Sequence, residues 1–174
     1  TLSGIPSIIY GLFGMIFFVV FLKWDYSLMA GAATAAIMVL PTILSTTKEA
    51  LDAVPDSYRE GSFALGTGKL RTIFKVVLPA AVPGILSGII LAIGRIVGET
   101  AALLYTSGTA TRGLTKGLMS SGRTLAVHMY TISSEGFHTK QTFATAVILL
   151  IFVFIINTLS SVAAKQISKK AGGQ

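Results

Sequence analysis

The stretch "AIGRIVGETAALL" sets an arginine, Arg95, and a glutamate, Glu99, inside an otherwise apolar run. Four residues apart on a helix, the two are neighbours on one face. Ionisable groups in such a run are costly to bury, and they face a cavity, a partner charge or a substrate path. A guanidinium there can hold an oxyanion by charge-assisted, bidentate hydrogen bonds. Glu99 would neutralise Arg95 when no anion is present, in a tuning or gating role, or the two would form a permanent salt bridge that orders the bundle. A second stretch, "GSFALGTGKLRT" (Gly61–Thr72), nearly spells a phosphate-binding loop. That loop needs glycine where Phe63 stands and Ser or Thr where Leu70 stands, and neither substitute can do the work of the required residue. His128 and His138 have no clustered co-ligand, so they do not point to a metal site. No nucleophile–base pair, carboxylate dyad or nucleotide fingerprint appears, which leaves a membrane-embedded enzyme without candidate chemistry.

The elements that position these residues follow from composition. The 174 residues are 52% hydrophobic and only 12% charged, about half the charged share of a soluble domain. Four apolar stretches approach the length that a bilayer demands of a helix, at 5–22, 27–44, 80–105 and 143–162. Arg95 falls near the middle of the third. Lys23-Trp24-Asp25-Tyr26 reads as a tight turn with interfacial aromatics. Longer polar segments at 45–79 and 107–142 separate the other spans, and a single transmembrane domain covers 1–174. Thr1 opens directly onto an apolar run, which suggests a piece of a longer chain. Cysteine is absent, so neither disulfides nor thiol chemistry enters the expectation.

Because spans alternate sides, segment 45–79 shares a side with both termini. That side carries Lys48, Arg59, Lys69, Arg71, Lys75, Lys165, Lys169 and Lys170, against Lys23, Arg112, Lys116, Arg123 and Lys140 opposite. The bias makes 45–79 cytoplasmic and 107–142 external. The net charge of +7 thereby reads as basic cytoplasmic loops rather than as a nucleic-acid surface. The basic external loop could raise the local anion concentration or meet an acidic surface on a binding protein. Gly84/Gly88 and Gly94/Gly98 are small-x-x-x-small pairs that permit close helix approach.

Within 45–79, "AVPDSYREGSFALGTGKLRTIFKVVLP" reads as helix, turn, helix. Pro55 suits a first helical turn, Asp56 and Glu60 favour its N-terminus, and Gly66 and Gly68 bend the chain before Lys69 opens a second helix. Glu60-Gly61-Ser62, three residues, Gly66, nine residues, then Val76-x-Leu78-Pro79 resembles the "EAA" motif of bacterial ABC importer permeases. Gly61 and Ser62 stand for its two alanines and Val76 for its isoleucine. The stretches "LSGIPSIIYGLFG", "VLPTILSTTKEALDAVPDSYREGSFALG", "LPAAVPGILSGIILAIGRIVGETAALLYT" and "TFATAVILLIFVFIINTLSS" are similar to the PstA-type permease subunits of phosphate importers, and cover most of the chain.

That resemblance implies an all-α, polytopic helix bundle in the bacterial inner membrane, with this sequence matching the C-terminal four of about six spans. It implies a coupling helix carried by Glu60, Gly61, Ser62, Gly66, Val76, Leu78 and Pro79 that docks on an ATP-binding subunit. ATP and magnesium would be bound by that partner, with no cofactor in this chain. The remaining partners would be a second, PstC-like permease subunit, an external phosphate-binding protein and the lipid bilayer. Arg95 and Glu99 would line the substrate path. A permease for molybdate, sulfate or phosphonate stays open, and so does a passive anion channel, although a channel needs no docking element for an ATPase.

Overall fold

The computed structural model describes residues 4–110 and 117–171, without the side chains of 168–171. Arg112 and Lys116 of the basic external loop lie outside the described residues, as do the side chains of Lys169 and Lys170. Among the described residues every regular element is helical. The elements are α1 (Ser7–Gly14, continued by a π-helical stretch Met15–Phe21), α2 (Leu28–Asp52), α3 (Asp56–Ala64), α4 (Lys69–Thr72), α5 (Leu78–Val97), α6 (Ala101–Leu104), α7 (Leu125–Glu135) and α8 (Thr139–Ala171). A second π stretch, Ile73–Val77, joins α4 to α5, so one helix runs from Lys69 to Val97.

Leu28–Asp52, Lys69–Val97 and Thr139–Ile167 are long and apolar enough to cross a membrane, and Ser7–Phe21 is a shorter apolar helix. Their boundaries differ from the expected ones for local reasons. The helix expected to stop at Leu44 runs on to Asp52, because Lys48, Glu49, Ala50 and Leu51 are all helix formers and neither Gly nor Pro stands between Leu44 and Pro55. The π stretch follows from Pro79, which has no N–H for the Lys75 carbonyl and whose ring would clash with it. Widening the preceding turn, with the Leu78 N–H donating to the Ile73 carbonyl, moves that carbonyl aside. The third expected span is not one helix to Tyr105: it ends at Val97, and the chain restarts as α6 after Gly98-Glu99-Thr100. Segment 107–142, expected as a loop, contains α7 and the first turn of α8.

The chain divides into two compact units, one within Thr1–Pro41 and Gly94–Ile155, the other within Thr42–Ile93 and Ile156–Gln174. In the first, Ala35, Leu103 and Val127 form a buried apolar cluster. Trp24 packs on Phe18 with ring centroids 5.3 Å apart, which anchors the turn after α1. The start of α2 is closed by a remote strap. The Leu28 N–H donates to the Ser120 carbonyl at 3.0 Å and the Met29 N–H to the Leu118 carbonyl at 2.9 Å. Ser27 takes the next two donors, its hydroxyl from Ala30 and its carbonyl from Gly31. The Ser27 N–H itself donates to the Thr106 carbonyl at 3.1 Å, so the four N–H groups that this helix start leaves without an intrahelical partner, Ser27 to Ala30, are all satisfied.

In the second unit α2 and α5 approach along small residues. A Cβ at Gly84 would press on Ala50, and one at Gly88 would overlap the Thr46 side chain. Gly84 and Gly88 thus work as a packing pair, whereas a Cβ at Gly98 would meet only the Gly94 carbonyl at 3.9 Å. Val54, Val77 and Ala81 make the buried core beside this contact.

Candidate functional site

Segment 53–79 builds a helical hairpin from local instructions. Pro55 precedes α3, with Asp56 in the first turn where a carboxylate favours the helix dipole. The end of α3 is a Schellman motif: the Gly66 N–H donates to the Phe63 carbonyl at 2.8 Å and the Thr67 N–H to the Ser62 carbonyl at 3.2 Å. Gly66 has φ +75°, the left-handed conformation that the motif requires at this position. Gly68 then leads into α4 with extended backbone. The stretch that nearly spelled a phosphate loop is therefore a helix end, a turn and a helix start.

The hairpin is closed by Ser62 and Thr72, whose hydroxyls meet at 2.9 Å in a buried setting. Thr72 also donates to the Gly68 carbonyl. Of the residues expected to couple, Glu60 and Gly61 are exposed, Val76, Leu78 and Pro79 half-buried, Gly66 exposed and Ser62 buried. Ser62 is therefore an internal fastener and not a contact residue. The outward face instead carries Tyr58, Phe63 and Leu65 on α3 and its cap, before the helix that begins at Lys69. Outside a membrane span, such a cluster marks a surface that a partner covers.

Arg59 had no assigned role beyond its charge, yet it joins α2 to α3. Its guanidinium donates to the Leu51 carbonyl at 3.0 Å, to the Val54 carbonyl at 3.1 Å and to the Asp56 carboxylate at 2.6 Å. These bonds engage the Leu51 carbonyl in the last turn of α2 and the Val54 carbonyl just past its end. Asp56 is 82% exposed, so the ion pair itself contributes little. Arg59→Met is expected to destabilise this corner by on the order of 2 kcal/mol, chiefly through the carbonyl bonds. Hydrogen exchange should speed up at 51–59 and stay unchanged in α7.

Arg95 and Glu99 are not one turn apart on one face. Arg95 is exposed in the last turn of α5, not at the middle of a longer span, and the helix ends two residues later. Glu99 lies in the break and is 9% exposed, and its carboxylate accepts the Ala102 N–H at 3.1 Å. It caps α6. Among the described residues Arg59–Asp56 is the sole ion pair, so no salt bridge joins Arg95 to Glu99. The geometry leaves the guanidinium free to receive an anion while the carboxylate holds backbone.

The expected external segment is ordered by backbone contacts on its near side. The Gly122 N–H and the Ser121 hydroxyl both donate to the Ser107 carbonyl. Thr124 caps α7 by accepting the Val127 N–H. His128 is half-buried within α7, whereas His138 is exposed just before α8. Because Ser121 is tied down and Leu118 is exposed, single cysteines at Ser57 and Leu118 make the sound topology reporters. An impermeant thiol reagent applied to intact cells should label Leu118→Cys and spare Ser57→Cys; the reverse would invert the orientation.

No solved structure matches this chain. Several curated proteins do. A probable ABC transporter permease, YqgI of Bacillus subtilis, is 36% identical over 148 residues, covering 78% of this chain and 50% of the relative. The phosphate transport system permease PstA 2 of Mycobacterium tuberculosis is 38% identical over 157 residues, 90% of this chain and 52% of the relative. PstA of Yersinia pestis is 40% identical over 164 residues, 92% and 55% respectively. The chain thus spans about half the length of these relatives. A family model for the binding-protein-dependent transport system inner membrane component matches residues 1–172. With its apolar spanning helices and its hairpin at the EAA spacing, the chain belongs to that family of multi-pass membrane transport proteins.

Proposed function

We infer that this chain is part of the membrane-spanning permease of an ATP-driven phosphate importer. The observation that carries the reading is the α3–α4 hairpin: a short helix, a glycine-dependent stop and an outward apolar face, all at the spacing of a coupling element. Its partner would be an ATP-binding subunit that holds ATP and magnesium, and nucleotide-driven movement of that subunit would be passed to α2 and α5 through the bonds of Arg59 and of Ser62 with Thr72. The chain itself would translocate and not catalyse. A second, PstC-like permease subunit would complete the path, and an external binding protein would deliver the anion.

Phosphate is favoured as cargo by the names of relatives that match 90% or more of this chain, and by an arginine without an ionic partner at the end of α5. The guanidinium fork suits a tetrahedral oxyanion, which it holds by two parallel hydrogen bonds. The test is uptake by the complete complex in proteoliposomes loaded with ATP. Phosphate should accumulate and compete against itself, while sulfate, molybdate and phosphonates at equal concentration should leave its uptake intact. Accumulation of one of those in its place would reassign the cargo. Equal uptake without ATP would replace the importer by a channel.

A further inference from the structure

The short helix α6 and the residues after it are enclosed. Ala102 and Thr106 are fully buried, and Leu103 and Ser107 nearly so. Two glycines of α1, Gly11 and Gly14, stand three apart and therefore on one face of that helix, and this face meets α6. A Cβ at Gly11 would come within 2.9 Å of the Ala102 Cα and 3.1 Å of the Ala101 carbonyl oxygen. Carbon atoms pack at about 3.5–4.0 Å, and a backbone atom cannot rotate out of the way. A Cβ at Gly14 would overlap the Thr34 side chain and come within 2.9 Å of the Thr106 methyl group. The backbones of α1 and α6 thus touch at Gly11, an approach that only the smallest residues permit.

This seat bears on Arg95 through one bond. The residue that Gly11 touches, Ala102, is the one whose N–H holds the Glu99 carboxylate, at 3.1 Å. That length is near the upper end of a good N–H···O bond, about 3.2 Å. A methyl group at Gly11 would require Ala102 to move by roughly half an ångström, more than the bond can absorb. A buried carboxylate that loses its donor is costly until another partner is found. Arg95 is the nearest cation in the sequence, is exposed, and has no ionic partner among the described residues. It would stand one turn from Glu99 if the helix ran on through the break.

We propose that Gly11 and Gly14 are positioning residues for the transported anion. By seating α6 they hold Glu99 on the Ala102 N–H and keep it off the Arg95 guanidinium. The proposal rests on Arg95 receiving the anion, and it adds how that charge is kept free. It also gives a role in transport to α1, whose helical stretch carries no charged side chain and acts through shape alone.

The test is ATP-driven phosphate uptake by the full-length permease in its complete complex. Gly11→Ala should lower the rate on the order of tenfold, the worth of one hydrogen bond to a charged group, with the ATP-binding subunit still associated. Adding Glu99→Gln should bring the rate back to that of Glu99→Gln alone, because an amide carries no charge with which to neutralise Arg95. A packing defect by itself would not be repaired by that second change. Wild-type uptake by Gly11→Ala would overturn the proposal. So would a loss that Glu99→Gln does not restore while Arg95→Gln alone is inactive, and Arg95 would then keep its role. Wild-type uptake by Arg95→Gln would instead remove the reading on which the proposal rests. If Gly11→Ala does not assemble, Gly14→Ala takes its place, since the Thr34 and Thr106 side chains can yield where the Ala102 backbone cannot. The same recovery by Glu99→Gln is expected there. Failure of both alanine variants to assemble, with Glu99→Gln as without it, would make the glycines packing residues only and overturn the proposal.

Discussion

Leucine at Gly66 should cut ATP-driven uptake by the complete transporter at least tenfold while the spanning helices stay inserted. Gly66 sits at φ +75°, and a Cβ there would meet nothing within 4 Å. Steric clash is therefore not the cause of the loss; the backbone conformation is. A non-glycine residue in the left-handed region costs about 1–2 kcal/mol, enough to shift the hairpin roughly 5–30-fold toward arrangements without the Schellman bonds. Those bonds set where Leu65 points and where α4 begins, so the outward apolar face is lost as a unit. Gly66→Asn discriminates between size and conformation. Asparagine tolerates this region better than leucine does, so it should retain intermediate uptake. If leucine and asparagine both transport like wild type, the hairpin is not the coupling element.

The helical bundle and the hairpin were legible because their signals are local. Apolar runs of span length announce α2, α5 and α8, and Pro55, Gly66 and Gly68 punctuate the hairpin within a few residues of where the structure turns. Ser62 was legible only as a small residue. Its hydroxyl bond to Thr72 joins positions ten apart in sequence, across a turn whose geometry decides whether they meet. The strap over the start of α2 left no trace in the sequence at all. It consists of backbone bonds from Leu28 and Met29 to Ser120 and Leu118, and backbone groups are the same in every residue. The break after Val97 did have a signal, Gly98 followed by Glu99-Thr100. A helical spacing from Arg95 to Glu99 was the competing reading, and it hid the capping role. In physical terms, the Ala102 N–H at the start of a new helix outcompeted Arg95 for the carboxylate.

That separation of roles makes the outcome at Arg95 and Glu99 decisive. Arg95→Gln should abolish uptake, by at least a hundredfold, with the ATP-binding subunit still associated. The side chain is exposed and bonds nothing among the described residues, so its loss removes function without removing fold. Arg95→Lys should also be impaired, because a point ammonium lacks the planar fork that grips two oxygens of an oxyanion. Glu99→Gln keeps an oxygen that can accept the Ala102 N–H, so α6 should stay capped and uptake should fall far less than in Arg95→Gln. Glu99→Leu removes that oxygen and leaves a buried donor unpaired, at about 1–3 kcal/mol, so this variant should lose stability in detergent first and transport as a consequence. The double variant Arg95→Gln with Glu99→Gln should remain inactive, since no charge pair exists for the second change to relieve. Uptake by the double variant close to wild type would show that the two charges compensate each other during the transport cycle. It would also remove Arg95 from the path of the anion.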